Sequence, residues 1–148
     1  MSNYSDPTVR VHTDASGYRT AITSRGFDLV ADEPASAGGT EAGPTPYDFL
    51  SMALGTCRSM TLRMYADRTK WPLQGVTVDV SHDRIHAADC ADCKSKDERL
   101  DRLSRSITLE GPLDDAQKTR LLEIANRCPV HRTLHSEIVV QTRLAETT

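Results

Sequence analysis

No stretch of this chain is apolar for anything near the ~20 residues that a helix needs to cross a bilayer, so no membrane span is expected. Residues Met1 to Arg10 are polar and contain no apolar h-region, so no secretory signal is expected and the expected compartment is the cytoplasm. The net charge of −3 gives no reason to expect a nucleic-acid partner. There is no internal repeat and no low-complexity segment. What remains is an ordinary globular composition, 38% hydrophobic and 26% charged, over 148 residues. That length suits one domain, residues 1–148, around one core. The four cysteines are then expected in a reducing compartment, where cysteines that matter are more often catalytic or metal-binding than structural disulfides. A small buried hydrophobe is the plain alternative for any one of them.

Three short β-prone stretches open the chain, Val9 to Thr13, Tyr18 to Ser24 and Phe27 to Ala31. Turn-forming residues separate them at 14–17 and at Arg25-Gly26, which predicts a meander. The segment from Asp32 to Thr45 is rich in glycine and proline, and its small side chains let it run close to other elements. Thr45, Pro46 and Asp48 are the cap, first-turn proline and acidic member of a helix start. Leu50, Ala53, Leu54, Cys57, Met60, Thr61 and Met64 recur at helical spacing, which predicts a buried stripe with Cys57 in its middle. Val76 to Ile85 and Leu100 to Leu109 read as the strands of a long hairpin. Asp114 with Gln117 caps a second helix, and Cys128-Pro129 ends it and opens a short turn through Leu134. Glu137 to Leu144 reads as a last strand. Met52, Met60 and Met64 are expected in the core, Trp71 at one end of it, and His12 and His135 in solvent. His131 is expected to be a helix-turn residue with a satisfied hydrogen bond rather than an acid catalyst.

A cysteine reacts as its thiolate, and a free thiol has a pKa of about 8.5. Lowering it takes a cation or helix N-terminal amides. Cys128, opening a turn beside His131 and Arg132, has such surroundings. Cys57 is far from its helix ends and needs a cation from elsewhere. Its neighbour Arg58 is rotated away by about 100° around the helix, so the strand residues Arg19 or Arg10 are the candidates. A thiolate that attacks an O–O bond becomes a sulfenic acid, and a second thiol condenses with it to a disulfide.

Two segments carry a resemblance. GPTPYDFLSMALGTC is similar to the glycine/proline loop and first-cysteine helix of the OsmC/Ohr family (osmotically inducible protein C and organic hydroperoxide resistance proteins), and ANRCPVHRTL is similar to its Cys-Pro motif. The order of elements agrees from Val9 to Leu144. The resemblance implies an α+β fold, an intertwined homodimer in which β-sheets wrap two central helices. It implies a thiol peroxidase of oxidative-stress defence that reduces organic hydroperoxides. Cys57 would attack, Cys128 would resolve, and Arg19 would be an approximate match to the activating arginine. A dithiol reductant such as a lipoylated protein would complete turnover, with no cofactor and no metal. The chain departs from the pattern in having Tyr47 and Asp48 where a glutamate follows the helix-opening proline. It also has Arg58 where the residue after the first cysteine is usually apolar, and it lacks the Gly-Gly-Arg signature in the opening strands.

Two other functions compete. The same fold could serve as a non-enzymatic thiol sensor or small-ligand binding module. Alternatively, His82, His86, Cys90 and Cys93, spaced H-x-x-x-H-x-x-x-C-x-x-C, could bind zinc. On one extended strand the two histidines would be about 13 Å apart, so a shared ion would need a bend in the chain. A redox dithiol and a plain surface loop are the other readings of Cys90 and Cys93.

Overall fold

A computed structural model describes residues 8–86, 90 and 99–145. The elements are β1 (Arg10–Thr13), β2 (Thr20–Ser24), β3 (Phe27–Ala31), a 3-10 turn (Ala35–Ala37), α1 (Pro46–Thr69), β4 (Gly75–His86), β5 (Arg99–Glu110), α2 (Asp115–Ala125) and α3 (Pro129–Leu134). This is the expected α+β architecture. The chain divides into two compact units, residues 1–51 and 52–148.

The first unit is an antiparallel meander in the order β1-β2-β3. Arg25 and Gly26 both have positive φ (52° and 85°), the left-handed pair that a two-residue hairpin requires to match strand twist. After β3 the chain folds back on itself around Asp32, whose carboxylate accepts from Glu33 N (2.7 Å), Thr40 N (3.3 Å), Thr40 Oγ1 (2.6 Å) and Ala42 N (3.1 Å). The Thr40 hydroxyl, first among these donors, holds this carboxyl below its ordinary pKa of 3.8 against the opposing effect of burial. The returning loop presses on β3 so closely that a Cβ on Gly43 would stand 2.1 Å from the Val30 carbonyl oxygen. The small residues of this loop thus do what their size suggested.

Helix α1 starts as its sequence dictates. Asp48 N donates to Thr45 Oγ1 (3.2 Å) and Thr45 N donates to Asp48 Oδ2 (2.9 Å), a reciprocal cap. Its buried residues are Leu54, Arg58, Leu62 and Ala66, an i, i+4 row. This corrects the expected stripe. Leu54 is buried as predicted, but Leu50, Met52, Met60 and Met64 are 44%, 43%, 58% and 68% exposed. Hydrophobic periodicity had selected a face that the described residues leave largely exposed.

In the second unit β4 and β5 pair antiparallel over their whole length, from Gly75↔Glu110 to His86↔Arg99. The hairpin, α1 and α2 enclose a core of Leu62, Ala66, Leu73, Leu113, Leu121, Ile124 and Ala125, with Trp71, Tyr65, Val76, Ile107 and Leu109 packed against it. Trp71 meets Tyr65 edge to face at 5.4 Å. Helix α2 carries the predicted capping box, Gln117 N to Asp114 Oδ1 (2.7 Å) and Asp114 N to Gln117 Oε1 (3.0 Å). Residues Glu137 to Leu144, expected as a strand, form none within this chain. Ile138, Val139, Val140 and Leu144 are 56% to 94% exposed. No helix among the described residues is long and apolar enough to cross a membrane.

Candidate active site

Two free thiols meet in the second unit. Cys57 projects from the middle of α1 and is half-buried; Cys128 caps α3 and is fully buried. The geometry of Cys128 follows from Pro129, which fixes the first helical φ and forces its predecessor to be extended. Cys128 has φ −64° and ψ 141°, and its Sγ accepts the backbone N–H of His131 at 3.3 Å. Cys57 lies near enough to act on the Cys128 thiol. Burial, first among the causes, raises the Cys128 pKa above its ordinary value, and the Cys57 contact raises it further. Cys128 therefore favours its protonated form, and Cys57 is the less buried of the two thiols.

The cation beside this pair is Arg58. The rotation of about 100° that separates consecutive helical side chains does not turn it into solvent, because position 58 lies on the buried row with Leu54, Leu62 and Ala66. It is 1% exposed. Its Nη1 donates to Asn126 Oδ1 at 3.2 Å and its Nη2 meets His131 Nδ1 at 2.8 Å. Arginine has no acceptor, so His131 Nδ1 must be unprotonated and accept. Burial, then the charges of Arg105, His135 and Arg58, push the His131 pKa below 6.5, which agrees with a neutral ring. His131 is thus the hydrogen-bonded turn residue that was expected, with a partner that was not. Arg105 from β5 donates to the same Asn126 Oδ1 at 2.7 Å. Two guanidinium groups therefore converge on one neutral oxygen. Arg58 Nε is buried without a hydrogen-bond partner.

Sequence reasoning missed Arg58 as a buried group because a charged side chain is ordinarily assigned to the solvent face of a helix. The available signal was the departure itself, an arginine directly after the cysteine where an apolar residue is usual. Arg19 lies in the first unit, exposed, just before β2. His12 and His135 are exposed as expected.

The histidine and cysteine run resolves differently. His82 Nε2 pairs with Asp101 Oδ1 at 2.9 Å across the β4–β5 hairpin. Cys90 is engaged in a disulfide, which removes its thiolate as a metal ligand. Cys93 lies outside the described residues. Among the described residues no group of three or more His, Cys, Asp or Glu side chains could hold a metal ion.

A thiol pair of this kind, carried by a central helix and a Cys-Pro cap on an α+β frame, defines a class. The family model of OsmC-like proteins matches residues 38–143, and the chain belongs to that family. The fold is shared with an OsmC-like protein from Mycoplasma pneumoniae (TM-score 0.69, 16% identity, 88% of this chain and 87% of that one). It is shared also with an organic hydroperoxide resistance protein OsmC from Legionella pneumophila (TM-score 0.65, 16% identity, 90% and 91%). A Psychrobacter arcticus protein named for osmotic stress induction and detoxification response has TM-score 0.68 and 22% identity over 85% and 86% of the two chains. No curated protein matches the sequence. The low identities fit a divergent branch of the family.

Proposed function

We propose that this protein is a thiol peroxidase that reduces organic hydroperoxides in the defence against oxidative stress. The observation that carries the reading is the pairing of a half-buried thiol, Cys57, with a fully buried, protonated and hydrogen-bonded one, Cys128. The Cys57 thiolate attacks the terminal peroxide oxygen; the O–O bond breaks, the alkoxide leaves and takes a proton as the alcohol, and Cys57 becomes a sulfenic acid. The Cys128 sulfur then attacks the Cys57 sulfur. An S–S bond forms and the sulfenic oxygen leaves as water. An external dithiol, of which a lipoylated protein is one form, reduces the disulfide by exchange and is itself oxidised. Family membership and the hydroperoxide-resistance name of the Legionella relative support the substrate class. The part of Arg19 as an activating cation rests on the resemblance alone.

The assembly we propose is a two-fold homodimer burying more than about 2,000 Å2 in total. It is supported by the apolar face of α1 that this chain leaves open, by the exposed Ile138 to Leu144 segment, and by an open groove of about 710 Å3 in the first unit whose lining includes Val9, Val11, Ile22, Leu29 and Phe49. Soluble monomers rarely leave large apolar patches in water. Sedimentation at micromolar concentration should give the dimer, and a monomer alone would refute it.

The test of the chemistry is mass spectrometry after one equivalent of cumene hydroperoxide. Cys57→Ser should abolish oxidation of the site. Cys128→Ser should still consume one equivalent and stop at a Cys57 sulfenic acid. If Cys128→Ser alone blocks the first oxidation, the two roles are reversed. If the unaltered protein consumes no hydroperoxide, the sensor or ligand-binding role takes precedence.

A further inference from the structure

The site is a chain of neighbours. Cys57 and Arg58 are consecutive on α1; Cys128 accepts from the His131 backbone N–H, and His131 Nδ1 accepts from Arg58. At the centre of these groups Arg58 is a guanidinium with 1% exposure. The groups that face it are Cys57 from its own helix, Cys128 and His131 at the start of α3, Arg105 from β5 and Asn126 after α2. His131 and Asn126 are neutral and Arg105 is a like charge. Among the described residues no carboxylate pairs with Arg58 or Arg105, although six other ion pairs are formed. A buried charge without a counter-charge is among the most unfavourable arrangements in a folded protein. The groups in its reach that can become anionic are the two thiols. Burial lowers the Arg58 pKa and so does Arg105, while Cys128 and Cys57 oppose both, so the thiols and the guanidinium already interact.

We propose that Arg58 is the thiolate-stabilising cation of this site, with the ionised Cys57 sulfur as its counter-charge. The proposal rests on the thiol reading of Cys57 given above and names the residue that supplies the charge which a mid-helix cysteine lacks. The orientation of Arg58 is fixed from both ends of its fork, by Asn126 and by neutral His131, so its charge is held in place. The unpartnered Nε remains as a donor. Of the two thiols Cys57 is assigned this part, because Cys128 is the more deeply buried and burial favours its protonated form. An arginine in the position after the cysteine replaces what a more distant strand arginine would provide.

The test measures the Cys57 pKa without peroxide. In the full chain carrying Cys128→Ser, the pH dependence of Cys57 alkylation by iodoacetamide, read peptide by peptide by mass spectrometry, gives the value directly. With Arg58 present it should fall below the free-thiol value of about 8.5. Arg58→Gln keeps polar atoms facing Asn126 and His131 but loses the charge. It should raise the Cys57 pKa by about one to three pH units and slow alkylation at pH 7 about tenfold or more. Arg58→Lys should retain most of the effect. The rate difference should narrow as pH rises and close above the raised Cys57 pKa of the variant, an outcome that a merely structural role for Arg58 would not give. A Cys57 pKa at or above 8.5 with Arg58 in place overturns the proposal, and this result stands even if Arg58→Gln does not fold. So does an unchanged pKa in folded Arg58→Gln, or a larger rise from Arg19→Met than from Arg58→Gln. A protein that shows the Arg58 effect but consumes no hydroperoxide loses the peroxidase reading and keeps this one. A working peroxidase indifferent to Arg58→Gln does the reverse.

Discussion

The two units of this chain are stabilised in opposite ways. In residues 52–148 most of the buried positions among the described residues form an apolar core; Leu54, Arg58 and Cys128 are buried outside it, the last two in the site. In residues 1–51 the fully buried positions among the described residues are Ala31 and Asp32. There a carboxylate with four hydrogen-bond donors takes the place of a core, and the apolar side of the meander stands open. The second unit can hold its structure by exclusion of water. The first holds a loop by polar contacts and leaves apolar side chains of the meander around an open groove. Apolar pattern and apolar core are therefore different things, and only packing tells them apart.

The comparison can be broken most severely at the second unit's centre. Leu62→Ala removes a fully buried side chain from the core and should cost about 2 to 5 kcal/mol, seen as a large drop in the denaturant midpoint; a loss under 1 kcal/mol would mean that this core is not closed. Gly43→Ala attacks the first unit where the loop meets β3. Its Cβ would collide with the Val30 carbonyl, a backbone atom that cannot swing aside, and a loss of about 1 to 3 kcal/mol is expected. Asp114→Ala should cost about 1 kcal/mol through the lost cap of α2, with no effect on hydrogen exchange in the meander.

Acid should separate the units without mutation. His131 has a folded pKa below its ordinary 6.5. Its neutral form is favoured in the fold, so the contribution is present above about pH 6.5 and declines as pH falls below it. Asp32 has a folded pKa below 3.8, so its contribution persists through that window and is lost only as pH falls through the depressed value. Hydrogen exchange resolved by segment should show protection near residues 126–135 weakening first and that near 31–42 much later. Simultaneous loss would erase the distinction.

Much of this was legible in the sequence because it depends on local chemistry. Thr45 with Asp48, Asp114 with Gln117, and Cys128 before Pro129 each satisfy backbone groups within a few residues, so their geometry follows from spacing. The strands came within two residues of their positions for the same reason, since Arg25-Gly26 and Gly111-Pro112 punctuate them. What could not be read is long-range. Met60 and Met64 have the spacing of a core stripe, but burial depends on what packs against them. Ile138 to Leu144 have the composition of a strand, but pairing needs an edge to join. Arg58 looked like a surface residue because its partners, Asn126 and His131, come from the other end of the chain.

A disulfide between Cys57 and Cys128 would carry no charge. The same pocket that balances a guanidinium against a thiolate in the reduced protein would then hold a cation facing neutral groups and the like charge of Arg105. Each turnover would thus alter the net charge around Arg58 as well as the bonding of two sulfur atoms, and the redox couple would also be an electrostatic couple. Oxidation would load the pocket and reduction would unload it, so that an approaching anionic thiolate would be drawn to the state that needs it.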